Sequence, residues 1–301
     1  MKVIERINYS IWELSSEIDR YPGDKQIRNK LLETFLENRL YIERKNNVPV
    51  EERSFMMLQE GVTDICMMIH GAGGDPSEMK RFSEYLYGKG FSTCAIRLPL
   101  NDDMKNGGMT SYLRSRITGK KEYGGVKRKS TNRNSWSASV SDMEVLYETL
   151  DSCCENVYVI GFSFGGLIAL NLMKNYDVRK TVLIAPALYP RGKGGIKFSV
   201  LLKTMPSAAR WVDPVKFTIA EYIIRVKKMI DGIDKPFLMI QSMDDPVLSL
   251  KGYGFLKKHA KNRNSEFILH EKGGHLLVKG EVAEDVFSES EQFLRQRFSR
   301  S

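Results

Sequence analysis

Val157-Tyr158-Val159-Ile160 runs directly into Gly161-Phe162-Ser163-Phe164-Gly165-Gly166, and an apolar helical pattern follows from Leu167 to Met173. The first four residues read as a buried strand and the last seven as a helix. A strand that turns this abruptly into a helix puts the middle residue, Ser163, on a strained apex. Glycines two positions before and two after it fit that geometry, because a Cβ at either place would collide with neighbouring backbone. Gly-x-Ser-x-Gly alone is a weak pattern. The strand before it and the helix after it make it a strong one.

Around this turn, short apolar runs alternate with helix-like segments. Candidate strands are Val62–Ile69, Ser92–Leu98, Val157–Ile160, Thr181–Ile184, Pro236–Ile240 and Glu266–Leu269. Candidate helices are Pro76–Tyr87, Ser137–Leu150, Phe164–Tyr176, Leu250–Ala260 and Val282–Arg297. Strand–helix alternation of this kind predicts an α/β fold with a mostly parallel sheet and helices on both faces. Residues 187–235 break the alternation with Gly192, Gly194, Gly195, Pro206 and Pro214, and read as an inserted cap. Ahead of residue 62, Ile4, Ile7, Ile11, Leu14 and Ile18 share one helical face. A second helix follows, with Ile27, Leu31, Phe35 and Ile42 on one stripe. The organisation expected is therefore an N-terminal helical extension over 1–60 and a main domain over 61–301.

With 301 residues and 42% apolar side chains, the chain can bury a sizeable core, which excludes disorder as its main state. No uncharged apolar run reaches the roughly 18 residues that span a bilayer. Met1 to Arg20 carries acids throughout and lacks an apolar signal core, so a cytoplasmic location is expected. The four cysteines are too few for a disulfide scaffold. The formal charge of +9 is concentrated between Arg114 and Arg133, where eight basic residues face the single acid Glu122. Most such runs are solvated surface. No aromatic-interleaved motif accompanies this one, so nucleic acid is not an expected partner. The amphipathic N-terminal helices leave peripheral membrane contact open.

A serine hydroxyl becomes a useful nucleophile only when a base takes its proton. Four histidines are available. His70 ends a strand and opens a Gly-rich turn, a place suited to bracing that turn. His259 lies in a Lys-rich helix with charged neighbours. His270 ends the last strand and His275 lies just beyond it, in Gly273-Gly274-His275-Leu276. A histidine between the last strand and the final helix can fold back over a nucleophile at the sheet edge, which favours His275 over His270. A carboxylate must then hold the imidazole. Asp244 and Asp245 follow the Phe237–Ile240 run, and Asp245 is favoured because the proline after it imposes an extended conformation. The backbone amides of Ala72, in His70-Gly71-Ala72-Gly73-Gly74, and of Phe164 are the natural pair to meet an oxyanion.

These motifs, with the Trp136 to Asp142 segment ahead of the nucleophile strand, resemble the α/β-hydrolase superfamily of serine hydrolases, and within it small bacterial carboxylesterases and monoacylglycerol lipases. The resemblance covers residues 62 to 298. It implies an eight-stranded, mostly parallel sheet with a cap after the sixth strand, and neither metal nor organic cofactor. It also implies a serine esterase acting on small-molecule esters, lipid esters among them, through Ser163, Asp245 and His275, with Ala72 and Phe164 as the oxyanion hole. Phe162, Phe164, Phe198, Leu201, Leu202 and Trp211 could line an apolar acyl slot, although core packing is the simpler role for Phe162. Thioester or peptide hydrolysis by the same triad is the alternative within the fold, and a non-catalytic lipid-binding protein the alternative outside it. Three departures are visible: Arg97-Leu98-Pro99-Leu100-Asn101-Asp102-Asp103 replaces the usual Gly-His-Gly-like turn, the basic segment 104–134 is long, and the first sixty residues have no counterpart.

Overall fold

The computed structural model describes residues 3–21, 23–98, 136–191 and 214–297. The basic run, the turn from Pro99 to Asp103 and four of the expected slot residues (Phe198, Leu201, Leu202 and Trp211) lie outside the described residues. The elements in chain order are helices α1 (Val3–Arg20) and α2 (Lys25–Lys45), strands β1 (Phe55–Met57) and β2 (Asp64–Ile69), helix α3 (Lys80–Gly88), strand β3 (Ser92–Ala95) and helix α4 (Trp136–Cys153). Strand β4 (Asn156–Phe162), helix α5 (Phe164–Asn175), strand β5 (Lys180–Ile184) and helix α6 (Pro214–Met229) follow. Strand β6 (Phe237–Ser242), helix α7 (Lys251–His259), strand β7 (Glu266–His270) and helix α8 (Ala283–Arg295) complete the order. The strands make a seven-stranded, mostly parallel sheet.

The chain divides into two compact units, one of Met1–Met68 with Asp75–Val157 and one of Ile69–Gly74 with Tyr158–Ser301. In the first, the strand order is β1-β3-β2, with β2 parallel to β3 and β1 antiparallel to it. Asp24 caps α2 by accepting the Gln26 and Ile27 amides at 2.9 and 3.2 Å, which fixes where the second helix begins. Leu31 and Phe35 on the predicted stripe are buried, as are Leu32 beside it and Ile11 and Ile18 of α1. The polar side of α2 is tied down by charge. Arg39 pairs with Asp142 of α4, and both side chains are largely withdrawn from solvent. The buried Glu43 carboxylate accepts the Ser54 amide at 2.9 Å and also its hydroxyl, while Ser54 Oγ accepts the Arg97 amide at 2.9 Å. Burial pushes the Glu43 carboxyl up from its ordinary value, against the opposing hydrogen bonds from Ser54.

In the second unit β4-β5-β6-β7 are parallel throughout. Every residue of β5 and β6 is buried, so both faces of these strands are covered. Helix α5 is buried from Phe164 to Met173. Helix α6, in the stretch expected to form a cap, packs on α5: the Tyr222 hydroxyl donates to the Leu167 carbonyl at 3.3 Å and its ring meets that of Phe164. The buried Lys180 ammonium donates to the Phe293 and Leu294 carbonyls at 2.8 and 2.7 Å and to Gln296, closing the C-terminus of α8 with a cation.

The resemblance implies eight strands, whereas the described residues contain seven, and the 187–235 stretch follows the fifth. The chain leading into β1 is spent on α1 and α2 rather than on another strand. Among the described residues no helix is long and apolar enough to cross a membrane.

The buried Arg39–Asp142 pair generates a stability prediction. Asp142→Ala strands a guanidinium with little solvent access and is expected to cost about 3–5 kcal/mol, whereas joint replacement by Arg39→Met and Asp142→Leu is expected to recover most of that loss. Chemical denaturation of the single and double variants measures both.

Candidate active site

Loops at the carboxyl ends of β4, β6 and β7 in the second unit, together with the Ile69–Gly74 segment of the same unit, bring the candidate residues together. β4 ends at Phe162, and Ser163 adopts φ 53° and ψ −112° before α5 starts at Phe164. A left-handed φ is costly for a residue with a side chain, and the surroundings impose it here. A Cβ on Gly161 would lie 2.4 Å from the Gly165 carbonyl oxygen, and one on Gly165 would lie 2.1 Å from the Ile69 carbonyl oxygen. Both obstacles are backbone and cannot swing aside. Hydrogen bonds hold the apex itself: the Ser163 amide donates to Ile184 O at 2.9 Å, and its carbonyl accepts the Gly166 and Ala187 amides at 3.0 Å each. Ala185, at φ 42°, is a second strained residue beside this apex.

The imidazole of His275 stands over the apex, with Nε2 3.1 Å from Ser163 Oγ. Its Nδ1 lies 2.9 Å from Asp245 Oδ2. An ionised carboxylate can only accept, so Nδ1 carries a proton, and in the neutral imidazole Nε2 then has its lone pair facing the hydroxyl. The Phe162 ring packs against the imidazole with centroids 5.2 Å apart. Asp245 is fully buried, and its Oδ1 accepts the Val247 and Leu248 amides at 2.7 and 2.8 Å. Burial alone would raise this carboxyl; the hydrogen bonds from His275, Leu248 and Val247, with the attraction of the imidazole, hold it below the ordinary carboxylate value. Of the two adjacent acids, Asp245 is the one that meets the imidazole.

The loop after β2 reaches the same place. A Cβ on Gly71 would sit 3.4 Å from the Ser163 Cβ. The Gly74 amide donates to Gly71 O at 3.3 Å, closing a turn with Ala72 and Gly73 at its centre, and Gly73 has the positive φ (74°) that a type II turn requires at its third position. The Phe164 amide opens α5 and has no intrahelical carbonyl to serve, which leaves it at the positive end of the helix dipole. These are the two amides expected to meet an oxyanion.

The remaining histidines have other partners. His70 is buried, with Nδ1 donating to Gly71 O at 2.9 Å, which suits the bracing role. His270 contacts Glu289 at 3.0 Å, and His259 pairs with Asp231. Phe162 is a core residue, as its simpler reading has it. Asp244 carries a contact that the sequence did not suggest: its Oδ1 accepts the Gly274 amide at 2.8 Å, one residue before the imidazole. No group of three His, Cys, Asp or Glu side chains among the described residues could hold a metal ion. The four cysteines are free and buried, and burial pushes the Cys153 thiol up to about 11.

A family model described as the alpha/beta hydrolase family matches residues 67–248. No curated protein sequence matches the chain. Solved structures similar in fold include a metagenome-derived lipolytic enzyme from work on LipS and LipT, at 15% identity and TM-score 0.62, covering 82% of this chain and 99% of that one. The soluble variant of Saccharomyces cerevisiae monoglyceride lipase, solved with a substrate analogue, has 16% identity and TM-score 0.59, covering 82% of this chain and 92% of that one. The Paleococcus ferrophilus monoacylglycerol lipase has 15% identity and TM-score 0.58, covering 80% of this chain and 98% of that one. At these identities the similarity is one of fold.

Two outcomes follow from this geometry. Gly165→Ala drives a methyl group into the Ile69 carbonyl and is expected to cost about 4 kcal/mol or more, read by thermal or chemical unfolding. Asp245 stabilises the fold through a depressed folded-state pKa, so its contribution is complete above the ordinary carboxylate range and is lost as pH falls through the lower folded value. The stability advantage of the wild type over Asp245→Asn is therefore expected to shrink on acidification, as unfolding free energies measured across pH would show.

Proposed function

The chain belongs to the alpha/beta hydrolase family, and on that premise we propose that it is a serine hydrolase cleaving carboxylic esters through an acyl-enzyme. The observation that carries the reading is the pair of contacts made by one imidazole, 3.1 Å to the strained Ser163 hydroxyl and 2.9 Å to the buried Asp245. In the first step His275 Nε2 takes the Oγ proton as Ser163 Oγ bonds to the ester carbonyl carbon, and the carbonyl oxygen becomes an oxyanion. Ala72 and Phe164 amides stabilise that charge, and Asp245 stabilises the imidazolium. The C–O bond to the alcohol then breaks as His275 returns the proton to the leaving oxygen. Water repeats the sequence on the acyl-serine and releases the acid.

Small-molecule esters, lipid esters included, are the substrate class proposed, in keeping with the lipolytic enzymes whose fold this chain shares. Thioester and peptide hydrolysis would use the same residues, and a panel of esters, thioesters and amides matched in acyl group distinguishes them by relative kcat/KM. Wild-type protein is expected to hydrolyse short p-nitrophenyl esters, and Ser163→Ala to lower kcat by about 10³-fold or more while the fold survives. Equal turnover by the two proteins would remove the assignment.

A further inference from the structure

Two carboxylates follow one another at the exit of β6, and the mechanism above uses only the second. We propose that Asp244 is a positioning residue for His275: its carboxylate pins the Gly273-Gly274 turn and so sets where the imidazole stands. The inference rests on the serine hydrolase reading of the same site.

In the turn that delivers His275, Gly273 is packed, since a Cβ there would lie 2.7 Å from Val282 and 2.8 Å from Leu277, whereas Gly274 is not. Gly273 and Gly274 have φ of 138° and 62°, a left-handed pair that only glycine adopts without strain. Glycine also loses the most conformational freedom on being fixed. A Cβ on Gly274 would meet nothing within 4 Å, so packing does not hold this residue. Hydrogen bonds do. Asp244 Oδ1 accepts the Gly274 amide at 2.8 Å, and the Ser242 hydroxyl donates to the same oxygen from the end of β6. The ladder between β6 and β7 continues past the strands through Met243 N to His270 O at 2.9 Å. Two side-chain rungs then cross in register: Asp244 to Gly274, and Asp245 to His275 at 2.9 Å. The first fixes the backbone immediately before the imidazole, and the second fixes the ring.

Asp244 itself is exposed, so its removal leaves no cavity and uncovers no buried charge. Its ordinary role would be to stabilise a surface turn, and that role would change melting temperature rather than turnover. A positioning role does the reverse, because an imidazole displaced by a fraction of an ångström loses the line to Ser163 Oγ without altering where an ester binds.

The test compares wild type, Asp244→Ala and Asp244→Asn on p-nitrophenyl butyrate, with kcat expressed per active site titrated by a fluorophosphonate, and with melting temperatures in parallel. Asp244→Ala is expected to lower kcat about 10- to 100-fold, with KM within about twofold and the melting temperature within about 2 °C. Asp244→Asn retains an oxygen that can accept the Gly274 amide, and is expected to recover most of that loss. An Asp244→Ala enzyme with wild-type kcat, or an Asn variant as impaired as the Ala variant, overturns the proposal while leaving the hydrolase reading intact. A wild type that neither hydrolyses the ester nor takes up the label overturns the hydrolase reading, and this proposal with it.

Discussion

Where β4 gives way to α5, two backbone segments approach so closely that no side chain fits between them: Gly165 lies against the carbonyl of Ile69, and Gly161 against that of Gly165. This contact has no slack, and it dictates the conformation of the residue held between the two glycines. Ser163 is thereby kept at a positive φ, with its amide and carbonyl committed to Ile184, Gly166 and Ala187. The hydroxyl is the part left over, presented at the end of a buried strand and the start of a buried helix. The cost of the strained dihedral, of order 1–3 kcal/mol, is offset by those three hydrogen bonds and by the packing of α5.

The electrostatic half of the site follows a similar economy. Asp245 is a fully buried carboxylate, an arrangement that is unfavourable without partners. Two main-chain amides occupy one of its oxygens and the His275 ring occupies the other. A carboxylate satisfied in this way stays ionised, orients the ring and selects the tautomer that faces Ser163. The same exit of β6 supplies Asp244, whose amide contact reaches the residue before the ring. Ser163, His275 and Asp245 thus arrive from β4, β7 and β6, each from the carboxyl end of its strand. In an open parallel sheet this is the edge at which loops from separate strands can meet.

Much of this was legible in the sequence, for identifiable reasons. β2, β4, β5 and β6 are apolar runs, and burial on both faces removes any polar alternation that could hide them. The Ser163 turn could be read because close backbone approach demands glycine at fixed offsets. β1 could not. Phe55-Met56-Met57 is too short to show a period, and it becomes a strand by pairing antiparallel with β3, some forty residues further along the chain. The choice between Asp244 and Asp245 turned on the following proline, and the geometry brings Asp245 to the ring. The part played by Asp244 was invisible, because a side chain's contact with an amide thirty residues away leaves no local pattern. The Arg39–Asp142 pair was equally hidden, being a tertiary contact between two helices.

The central claim is chemical: the Ser163 hydroxyl is uniquely nucleophilic because of where His275 stands. Reaction of the intact protein with a fluorophosphonate, followed by tandem mass spectrometry of the digest, tests it most directly. The account predicts one adduct per chain, on Ser163, that disappears when His275 is replaced by alanine. Absence of an adduct in the wild type, an adduct on a different serine, or undiminished labelling of Ser163 without His275 would contradict it.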